Sequence, residues 1–426
     1  MSVFGSSGIR AQVSRDLFSL AFDISLSIGR HYSSVVIATD TRTSSNALKH
    51  IVISGLCASG AKVFDAGMLP TPSLAFITRK YKAGIEVTAS HNPPEYNGLK
   101  LWNPDGSSFH EVQRTLLETE LIRESVEINW QNMSGCDTVS GCLQEHLDRI
   151  KKDFPENLGV KVVVDCGGGA TCFATPYLLQ ELGCQVIAIN SIPTGFFPRG
   201  SEPVEENLQE LRRAVVSLQA DLGIAHDGDG DRMVAVDEKG RVIEGDRLML
   251  ILAKNIAAKK LVTTLDATML LEESSFKVIR TKIGDTFVSE KLKDGGDFGG
   301  EASGCWIFPE VSLCPDGVYA AAKLAQIASE KKLSTLVDSI NLYPLKRGSI
   351  PLDKDKWHNI ENRFLEMDCL SQNKEDGIKL NFSDGWLLLR PSGTEPKLRI
   401  TVEARSKERV ETLYNMAQKN IAESLK

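Results

Sequence analysis

Short hydrophobic runs alternate with amphipathic stretches from the start of the chain. The first block has hydrophobic runs at 35–40 (VVIATD), 61–66 (AKVFDA) and 84–88 (GIEVT). Amphipathic stretches at 44–59 and 72–82 lie between them. Strands that alternate with helices are typical of a parallel α/β layer, so the pattern predicts such a layer here.

The same alternation begins again twice further along the chain. The second block has predicted strands at 159–165, 184–190 and 221–227, with helices at 171–182 and 204–219 between them. The third block begins near 242, with a helix from 246, strands at 261–266 and 277–281, and a helix at 315–331. Residues 124–142, which separate the first two blocks, are polar and lack periodicity, so they predict a linker.

The order of elements changes from about residue 345 onward. A predicted helix at 356–367 is followed by a hairpin at 379–390, a strand at 397–404 and a helix from 406. The Asp384-Gly385 pair is a tight-turn signal between the hairpin strands. The sequence therefore predicts an α/β fold with three similar mixed α/β domains and a C-terminal α+β domain. The predicted domains are 1–142, 143–240, 241–344 and 345–426.

Composition and charge exclude several classes of protein. Of the 426 residues, 42% are hydrophobic and 25% are charged, which is close to the globular average and excludes disordered and fibrous chains. The formal net charge of −7 gives no electrostatic basis for broad binding to nucleic acid or to a membrane surface. The nine cysteines form no C-x-x-C pair, and no uninterrupted apolar run reaches the ~18 residues of a membrane helix. We therefore expect a cytoplasmic protein that binds neither nucleic acid nor membrane and holds any phosphate by local groups.

The strongest local signal is HDGDGDR, in which Asp227, Asp229 and Asp231 alternate with glycines between two apolar strands. Carboxylate oxygens are ligands for Mg²⁺, Mn²⁺ or Ca²⁺, and the intervening glycines let the backbone curl. An EF-hand would need glycine where Arg232 stands and helices on both flanks, so we reject it. Arg232 can bind a phosphate that also touches the metal. The alternative is a solvated acidic turn.

The second signal is TASHNPPEYNGLK, where a strand ends at Ser90 and an Asn-Pro-Pro turn follows. A serine at this place can carry a phosphoryl or acyl group, and His91 or Lys100 is close enough in sequence to move protons. Acyl transfer lacks the G-x-S-x-G elbow. Phosphoryl transfer fits better, because a phosphoserine oxygen would complete the coordination of a cation on the aspartates. An ordinary turn is the alternative.

Two further loops carry anion-binding and hydroxyl-binding groups. RPSGTEPK contributes Arg390, Ser392, Gly393 and Thr394, which together predict an anion cup, with a polar turn as the alternative. GGEASG contributes Glu301 and Ser303, whose side chains could accept hydrogen bonds from sugar hydroxyls and donate to them. The glycines at 167–169 lack G-x-G-x-x-G spacing, so we predict a plain turn and no bound NAD.

These four motifs, in this order, resemble those of the α-D-phosphohexomutase superfamily, which includes phosphoglucomutases, phosphomannomutases and phosphoglucosamine mutases. TASHNP matches the family's phosphoserine loop, DGDGDR its metal loop, GEASG its sugar loop and RPSGTEP its phosphate loop. FGSSGIR at 4–10 looks like the family's opening segment, which makes Arg10 an expected active-site cation. The resemblance covers the whole chain and implies four domains around a central cleft.

The resemblance also implies a mechanism. A phosphoryl group on Ser90, next to Mg²⁺ on the three aspartates, would pass to a hexose monophosphate and give a bisphosphate that turns over and returns its other phosphate. Ser90 is itself an expected metal ligand. Lys100 and His91 are the expected acid–base residues, and Arg10, Lys100 and Arg232 would offset the negative charge. The expected cofactors are Mg²⁺ and hexose 1,6-bisphosphate as activator, and the expected state is a monomer or homodimer.

The identity of the sugar depends on two short segments. RTKIGD at 280–285 is similar to the pattern of phosphoglucosamine mutases. GEASGC departs from their usual GEQSGH at Ala302 and Cys305, and the stretch GEASGCWIFPE looks more like archaeal members. We therefore expect glucosamine 6-phosphate, with mannose or glucose phosphate as the alternative and a pentose phosphate as a third. A non-catalytic sugar-phosphate-binding protein and a serine phosphatase are the alternatives from other classes.

Overall fold

The computed structural model describes residues 3–5, 7–122, 128–392 and 396–425. Four β-sheets follow one another along the chain, and helices pack against each. We call them the first to the fourth unit. The predicted α/β class, with three mixed α/β units and a C-terminal α+β unit, is confirmed.

The first unit is a six-stranded sheet in the order β1-β5-β4-β2-β3-β6. Its strands are β1 (Ile9–Gln12), β2 (Ser34–Thr39), β3 (Lys62–Met68), β4 (Ala83–Val87), β5 (Tyr96–Trp102) and β6 (Cys136–Thr138). Its helices are α1 (Arg15–His31), α2 (Ser45–Ala58), α3 (Thr71–Ile77) and α4 (Glu111–Ile122). The sheet is mixed rather than parallel, because β5 runs antiparallel to both β4 and β1.

A second prediction for this region, the linker at 124–142, is wrong in part. Residues 136–138, within the predicted linker, form β6 and pair in parallel with β3. All three β6 residues are exposed, so the strand is held by backbone bonds at the sheet edge and shows no hydrophobic alternation. Periodicity therefore could not reveal it.

The second and third units are four-stranded sheets, in the orders β10-β9-β7-β8 and β12-β11-β13-β14. The second contains α5 (Cys142–Lys151), β7 (Lys161–Asp165), α6 (Thr175–Glu181), β8 (Gln185–Ile189), α7 (Gln209–Ser217), β9 (Leu222–His226) and β10 (Met233–Asp237). The third contains α8 (Gly245–Asn255), β11 (Lys260–Thr264), β12 (Lys277–Thr281), α9 (Asp285–Leu292), β13 (Phe298–Glu301), β14 (Cys305–Ile307), α10 (Gly317–Glu330) and α11 (Leu333–Asp338). One continuous hydrophobic core, from Leu147 to Ile340, runs through both units.

Three predicted helices are shorter than expected, because part of each is a 3₁₀ turn. The turn at 170–173 precedes α6, the turn at 205–208 precedes α7, and the turn at 78–80 follows α3. A 3₁₀ turn is common at a helix end, and the hydrophobic pattern does not distinguish it from α-helix.

The fourth unit is an antiparallel sheet in the order β15-β19-β18-β17-β16. It contains β15 (Leu345–Pro351), α12 (Trp357–Leu365), β16 (Ser371–Asn373), β17 (Ile378–Phe382), β18 (Gly385–Pro391), β19 (Lys397–Ala404) and α13 (Lys407–Ser424). Leu387, Leu389 and Ile400 belong to a core separate from that of the other units. The opposite sheet face meets the third unit through polar contacts: the carboxylate of Glu403 accepts a bond from the Met269 amide at 2.7 Å.

Among the described helices, none combines the length and the apolar character that are needed to cross a bilayer.

Candidate active site

The three aspartates of HDGDGDR lie in the loop between β9 and β10, which are antiparallel neighbours. One carboxylate oxygen from each of Asp227, Asp229 and Asp231 lies within 4.8 Å of the others, and all three residues are buried. The glycines are needed for close approach: a β-carbon at Gly228 would lie 2.6 Å from the Ser90 carbonyl oxygen, and one at Gly230 would lie 2.3 Å from the Thr171 side chain. Strands on both flanks agree with the rejection of an EF-hand.

Lys100 provides the positive charge next to this loop. Its ammonium, on β5, donates to Asp229 at 2.6 Å and also to Asp231. Burial acts against the ammonium, but these two carboxylates outweigh it and raise the pKa of Lys100. Burial and the neighbouring carboxylates raise the pKa of Asp227 and of Asp231. The single positive charge of Lys100 therefore cannot neutralise three ionised carboxylates.

The aspartate loop fits a hard divalent cation. Among the described residues, the Oδ1 atoms of Asp229 and Asp231 are buried with no hydrogen-bond partner. An unsatisfied buried oxygen is costly, and a cation with oxygen ligands removes that cost. All three ligand side chains are carboxylates, which suit Mg²⁺ or Mn²⁺ better than thiolate-seeking metals.

Ser90 lies directly against the aspartate loop. Its hydroxyl donates to Asp227 Oδ2 at 2.9 Å, and its amide donates to Thr88 Oγ1 at 2.8 Å. Its φ is +51°, a conformation that residues other than glycine adopt only when their surroundings hold them there. The guanidinium of Arg42 provides that constraint, because it donates to the backbone carbonyls of Ser90 at 2.7 Å and of Asn92 at 2.6 Å.

His91 and Arg10 border the same serine. His91 Nδ1 lies 3.3 Å from the Ser90 hydroxyl. Burial, together with the charges of Arg232 and Arg10, lowers the pKa of His91 to about 2, so the imidazole is neutral at physiological pH. Arg10 donates to the side chain of Asn92 at 3.3 Å. The opening segment and the serine loop therefore meet, although they are far apart in the sequence.

Sequence reasoning missed Glu86, which is the cross-strand partner of Lys100. It is fully buried, and neither of its carboxylate oxygens has a hydrogen-bond partner among the described residues. Burial, reinforced by Asp229 and Asp40, raises the pKa of Glu86 well above its usual value. Glu86 lies inside the apolar run GIEVT. A carboxylate in a strand that is predicted to be buried was the sequence signal that could have identified it.

The loop that carries Glu301 and Ser303 lies against the aspartate loop. The backbones of Arg232 and Cys305 form an isolated bridge, and the Met233 amide donates to the Gly304 carbonyl at 2.9 Å. Glu301 accepts from the Gly284 amide at 2.8 Å and from the Ser303 hydroxyl at 3.3 Å. A cavity of about 290 Å³ lies here, and its lining includes Arg232 and Ser303. The structure thus brings these predicted residues together.

The fourth unit contributes a basic cavity of about 410 Å³. Its lining includes four cations, Arg347, Arg390, Lys397 and Arg399. Arg390 and Arg399 are direct cross-strand partners on β18 and β19. Like charges at such positions repel, so negatively charged groups near the pair are stabilising.

Arg390 is also linked to the third unit. Its Nε donates to Asp376 Oδ1 at 2.9 Å, and Asp376 Oδ2 accepts from the Ile283 amide at 3.0 Å. Ser392 is buried, and its amide donates to the Lys397 carbonyl at 2.8 Å. The other two residues of the predicted cup lie outside the described residues. They are Gly393 and Thr394.

The sequence analysis did not select Arg347 or Arg399. Strand alternation was the available signal for Arg399, because Leu398 and Ile400 are buried in the core and Arg399 lies between them. Arg347 pairs with Thr401, and this register is visible only in the structure.

Comparison with known proteins gives consistent results along the chain. Four consecutive segments match the domains described as phosphoglucomutase/phosphomannomutase alpha/beta/alpha domain I (1–126), domain II (144–240), domain III (244–343) and C-terminal domain (352–418).

Two curated relatives and one solved structure show how far the similarity extends. The chain is 44% identical to a protein of Methanocella arvoryzae named probable phosphoglucosamine mutase, over 98% of this chain and 97% of that protein. A Methanosarcina acetivorans protein of the same name is 43% identical over the full length of both. The crystal structure of a phosphoglucomutase/phosphomannomutase family protein from Burkholderia thailandensis aligns with a TM-score of 0.87 and 25% identity, over 99% of this chain and 97% of the other.

We expect the stability of the protein, relative to that of a Glu301→Gln variant, to fall as pH rises from about 4.5 to about 7. Burial, with Asp285 and Asp266, raises the pKa of Glu301 from 4.5 to about 7. In this window the folded state holds a proton that the unfolded state has released, so raising the pH favours unfolding. Glutamine does not titrate. Thermal melts of both proteins at several pH values measure the difference, and a difference independent of pH would contradict the raised pKa.

Proposed function

We propose glucosamine 6-phosphate as the substrate of this chain, which belongs to the phosphoglucomutase/phosphomannomutase family and is an isomerase of the phosphohexomutase type. In the proposed reaction a phosphoryl group moves between O6 and O1 of the sugar, through phosphorylated Ser90 and a bisphosphate intermediate. The observation that carries the mechanism is the hydrogen bond of 2.9 Å between the Ser90 hydroxyl and Asp227 of the aspartate loop. The names of the two relatives support the choice of sugar.

Ser90 is the proposed phosphoryl carrier. Its backbone is fixed by Arg42 and Thr88, so the hydroxyl points at the aspartate loop before any substrate arrives. When a sugar hydroxyl attacks the phosphorus, it loses its proton to the proposed base, the neutral His91, and the bond from phosphorus to the Ser90 oxygen breaks. The Ser90 oxygen then takes up a proton. Lys100 is the proposed general acid, because its ammonium lies at the same carboxylates. His91, neutral and 3.3 Å from the Ser90 hydroxyl, is the second proposed acid–base residue.

Asp227, Asp229 and Asp231, with a Ser90 oxygen, would hold Mg²⁺. When bound, Mg²⁺ would supply a Lewis acid for the phosphoryl oxygens. Thr71 fixes Asp229 by donating to its Oδ2 at 2.6 Å.

Three cations of the chain offset the charge of the reacting group. A phosphoserine brings a charge of about −2 next to the three carboxylates. We propose that Lys100, Arg10 and Arg232 balance it. Arg232 also lines the cavity beside Ser303, so it would be close to the substrate as well as to the loop.

The distal phosphate and the hydroxyls of the sugar would be held by the other two motifs. Arg390 and Ser392, with Gly393 and Thr394, are the proposed phosphate cup, and the basic cavity beside Arg390 supports this assignment. Glu301 and Ser303 are the proposed hydroxyl ligands. Turnover of the bisphosphate requires that the cup accept the phosphate at either end of the sugar. Hexose 1,6-bisphosphate is the proposed activator, because it would phosphorylate Ser90 for the first cycle.

We also propose that the protein is cytoplasmic and is a monomer or a homodimer.

A competition among substrates tests the proposal. Purified protein with Mg²⁺ and a trace of hexose 1,6-bisphosphate is followed by phosphorus NMR in parallel tubes with glucosamine, mannose, glucose and ribose phosphates. We expect conversion between the 6- and 1-phosphates of glucosamine to be at least about tenfold faster than the other conversions, a difference of ~1.4 kcal/mol in barrier height. Faster conversion of mannose or glucose phosphate would favour the alternative that the matched family description suggests. Release of inorganic phosphate alone would contradict a mutase.

A Ser90→Ala variant should lose turnover and keep its affinity for sugar phosphate within a few-fold, because the substrate-binding groups lie on other loops. Turnover by NMR and binding by calorimetry give the two readouts. Ser107→Ala is the matched control, since Ser107 is a buried serine of the same unit that bonds to Asp105. Full turnover by Ser90→Ala would disprove the phosphoserine role.

An Arg390→Ala variant should bind sugar phosphate more weakly by about 1.5–3 kcal/mol, the size of a hydrogen bond to a charged group. Calorimetric titration with the sugar phosphate measures the loss. Arg409→Ala is the control, because Arg409 is in the same unit and pairs with Asp384 at the hairpin turn. Equal affinity of Arg390→Ala and the unmodified protein would place the phosphate elsewhere.

A further inference from the structure

Three buried side chains form a hydrogen-bonded series where the first three units meet. The hydroxyl of Ser73, on α3, lies 2.9 Å from Nδ1 of His146, on α5. Nε2 of His146 lies 3.0 Å from Oδ2 of Asp316, the residue that caps the N-terminus of α10. All three residues are at most 1% exposed. We call this series the Ser73–His146–Asp316 relay.

The relay has the order of groups of a hydrolytic triad, but burial excludes that role. Ser73 has no exposed surface, so a substrate carbonyl cannot reach its hydroxyl. The carboxylate of Asp316 accepts from Nε2, and the second bond joins Nδ1 to the Ser73 hydroxyl. The other carboxylate oxygen of Asp316 accepts from the Tyr319 amide at 2.9 Å. The relay therefore joins α3, α5 and α10 through directional bonds.

Two of the helices that the relay connects, α3 and α10, contact the aspartate loop at their N-terminal ends. Thr71 at the start of α3 donates its amide to the Asp229 carbonyl at 2.9 Å and its hydroxyl to the Asp229 carboxylate at 2.6 Å. Gly317 at the start of α10 is so close to the loop that an added β-carbon would lie 2.6 Å from the Arg232 carbonyl oxygen and 2.7 Å from that of Gly230. The loop therefore packs against the ends of both helices, and a shift of either helix would move a residue that touches the loop.

We propose that His146, through Ser73 and Asp316, is a positioning residue that holds α3 and α10 at the spacing in which the aspartate loop binds its divalent cation. The inference rests on the proposed function only in that it takes the loop to be a cation site. Within the part of the chain that the structure describes, the hydrogen bonds of His146 go to Ser73 and Asp316 and not to the aspartate loop, so it would act through the helices that carry them. Outer partners that orient metal ligands typically contribute 10–100-fold to metal affinity.

The test measures the affinity of the full chain for Mn²⁺ by the EPR signal of the free ion, with no substrate present. A His146→Phe variant keeps a ring against Phe76, whose centroid lies 5.0 Å from that of His146, and removes both hydrogen bonds. We expect its Mn²⁺ affinity to fall about tenfold. A Ser73→Ala variant, which removes one bond and little volume, should lose a smaller factor. His146→Gln, whose amide can donate to Asp316 and accept from Ser73, should stay within about threefold of the unmodified protein.

Leu147→Ala is the matched control for packing. Leu147 is the next residue of α5, buried in the core of the second and third units. This variant should lower the melting temperature and leave Mn²⁺ affinity unchanged. Equal losses in Leu147→Ala and His146→Phe would overturn the inference, as would normal affinity in His146→Phe. If His146→Phe does not fold, normal affinity in Ser73→Ala overturns it and reduced affinity supports it. Unmodified protein that binds no Mn²⁺ would overturn the proposed cation site, and this inference with it.

Discussion

The burial of three carboxylates in one loop is the constraint on which the rest of the structure depends. Buried negative charge is tolerated only when paired or hydrogen-bonded, and a single loop cannot supply enough partners. The first unit therefore contributes Lys100 and Thr71, and the loop itself contributes the backbone amides of Gly230 and Arg232 to Asp227. The third unit closes the site from the side of α10. The three units converge because the charge at this point needs partners from different parts of the chain.

The connections between units differ in kind, and the difference matters for a reaction that needs both a fixed centre and an adjustable cleft. The second and third units share one hydrophobic core, which resists relative movement. The fourth unit has its own core and meets the third through polar contacts, such as Glu403 with Met269, Lys379 with the Leu265 carbonyl, and Asp376 with Ile283. Polar interfaces of this kind permit relative domain motion. The proposed phosphate cup is thus on the unit with a separate core and a polar interface, and the aspartate loop is on a unit that shares its core with a neighbour.

Sequence patterns predicted the strands with strong hydrophobic runs and the loops that carry dense chemistry. HDGDGDR was found because carboxylates and glycines alternate between two apolar strands, and the structure places β9 and β10 at those strands. Lys100 was selected because it lies near Ser90 in the sequence. Its contact with Asp229 depends on the antiparallel pairing of β4 and β5, which only the tertiary structure shows.

The residues that sequence analysis missed depend on contacts between distant segments. Glu86 looks like one polar residue in an apolar strand, and Arg42 lies in a loop with no motif. The guanidinium of Arg42 donates to four backbone carbonyl groups in the segment 90–96, which includes Ser90. Local sequence patterns cannot show such contacts. The edge strand β6 was missed for a related reason, since backbone pairing leaves no mark on side-chain periodicity. The domain boundaries and the roles of the site residues stay predictions.

The local distribution of charge explains how a chain with a net charge of −7 can bind an anionic substrate. Several cations lie together around Ser90, and four more line the cavity of the fourth unit. At the first place the cations lie next to the aspartates, and Lys100 pairs with two of them. At the second, Arg390 and Arg399 are cross-strand neighbours of like charge, and a phosphate bound there would add to the negative charge that Asp376 supplies. In the proposed mechanism the bisphosphate carries a phosphate at each end of the sugar. Because reversal of the sugar exchanges two equivalent charges, either end would present the same charge to Ser90 and to the proposed cup.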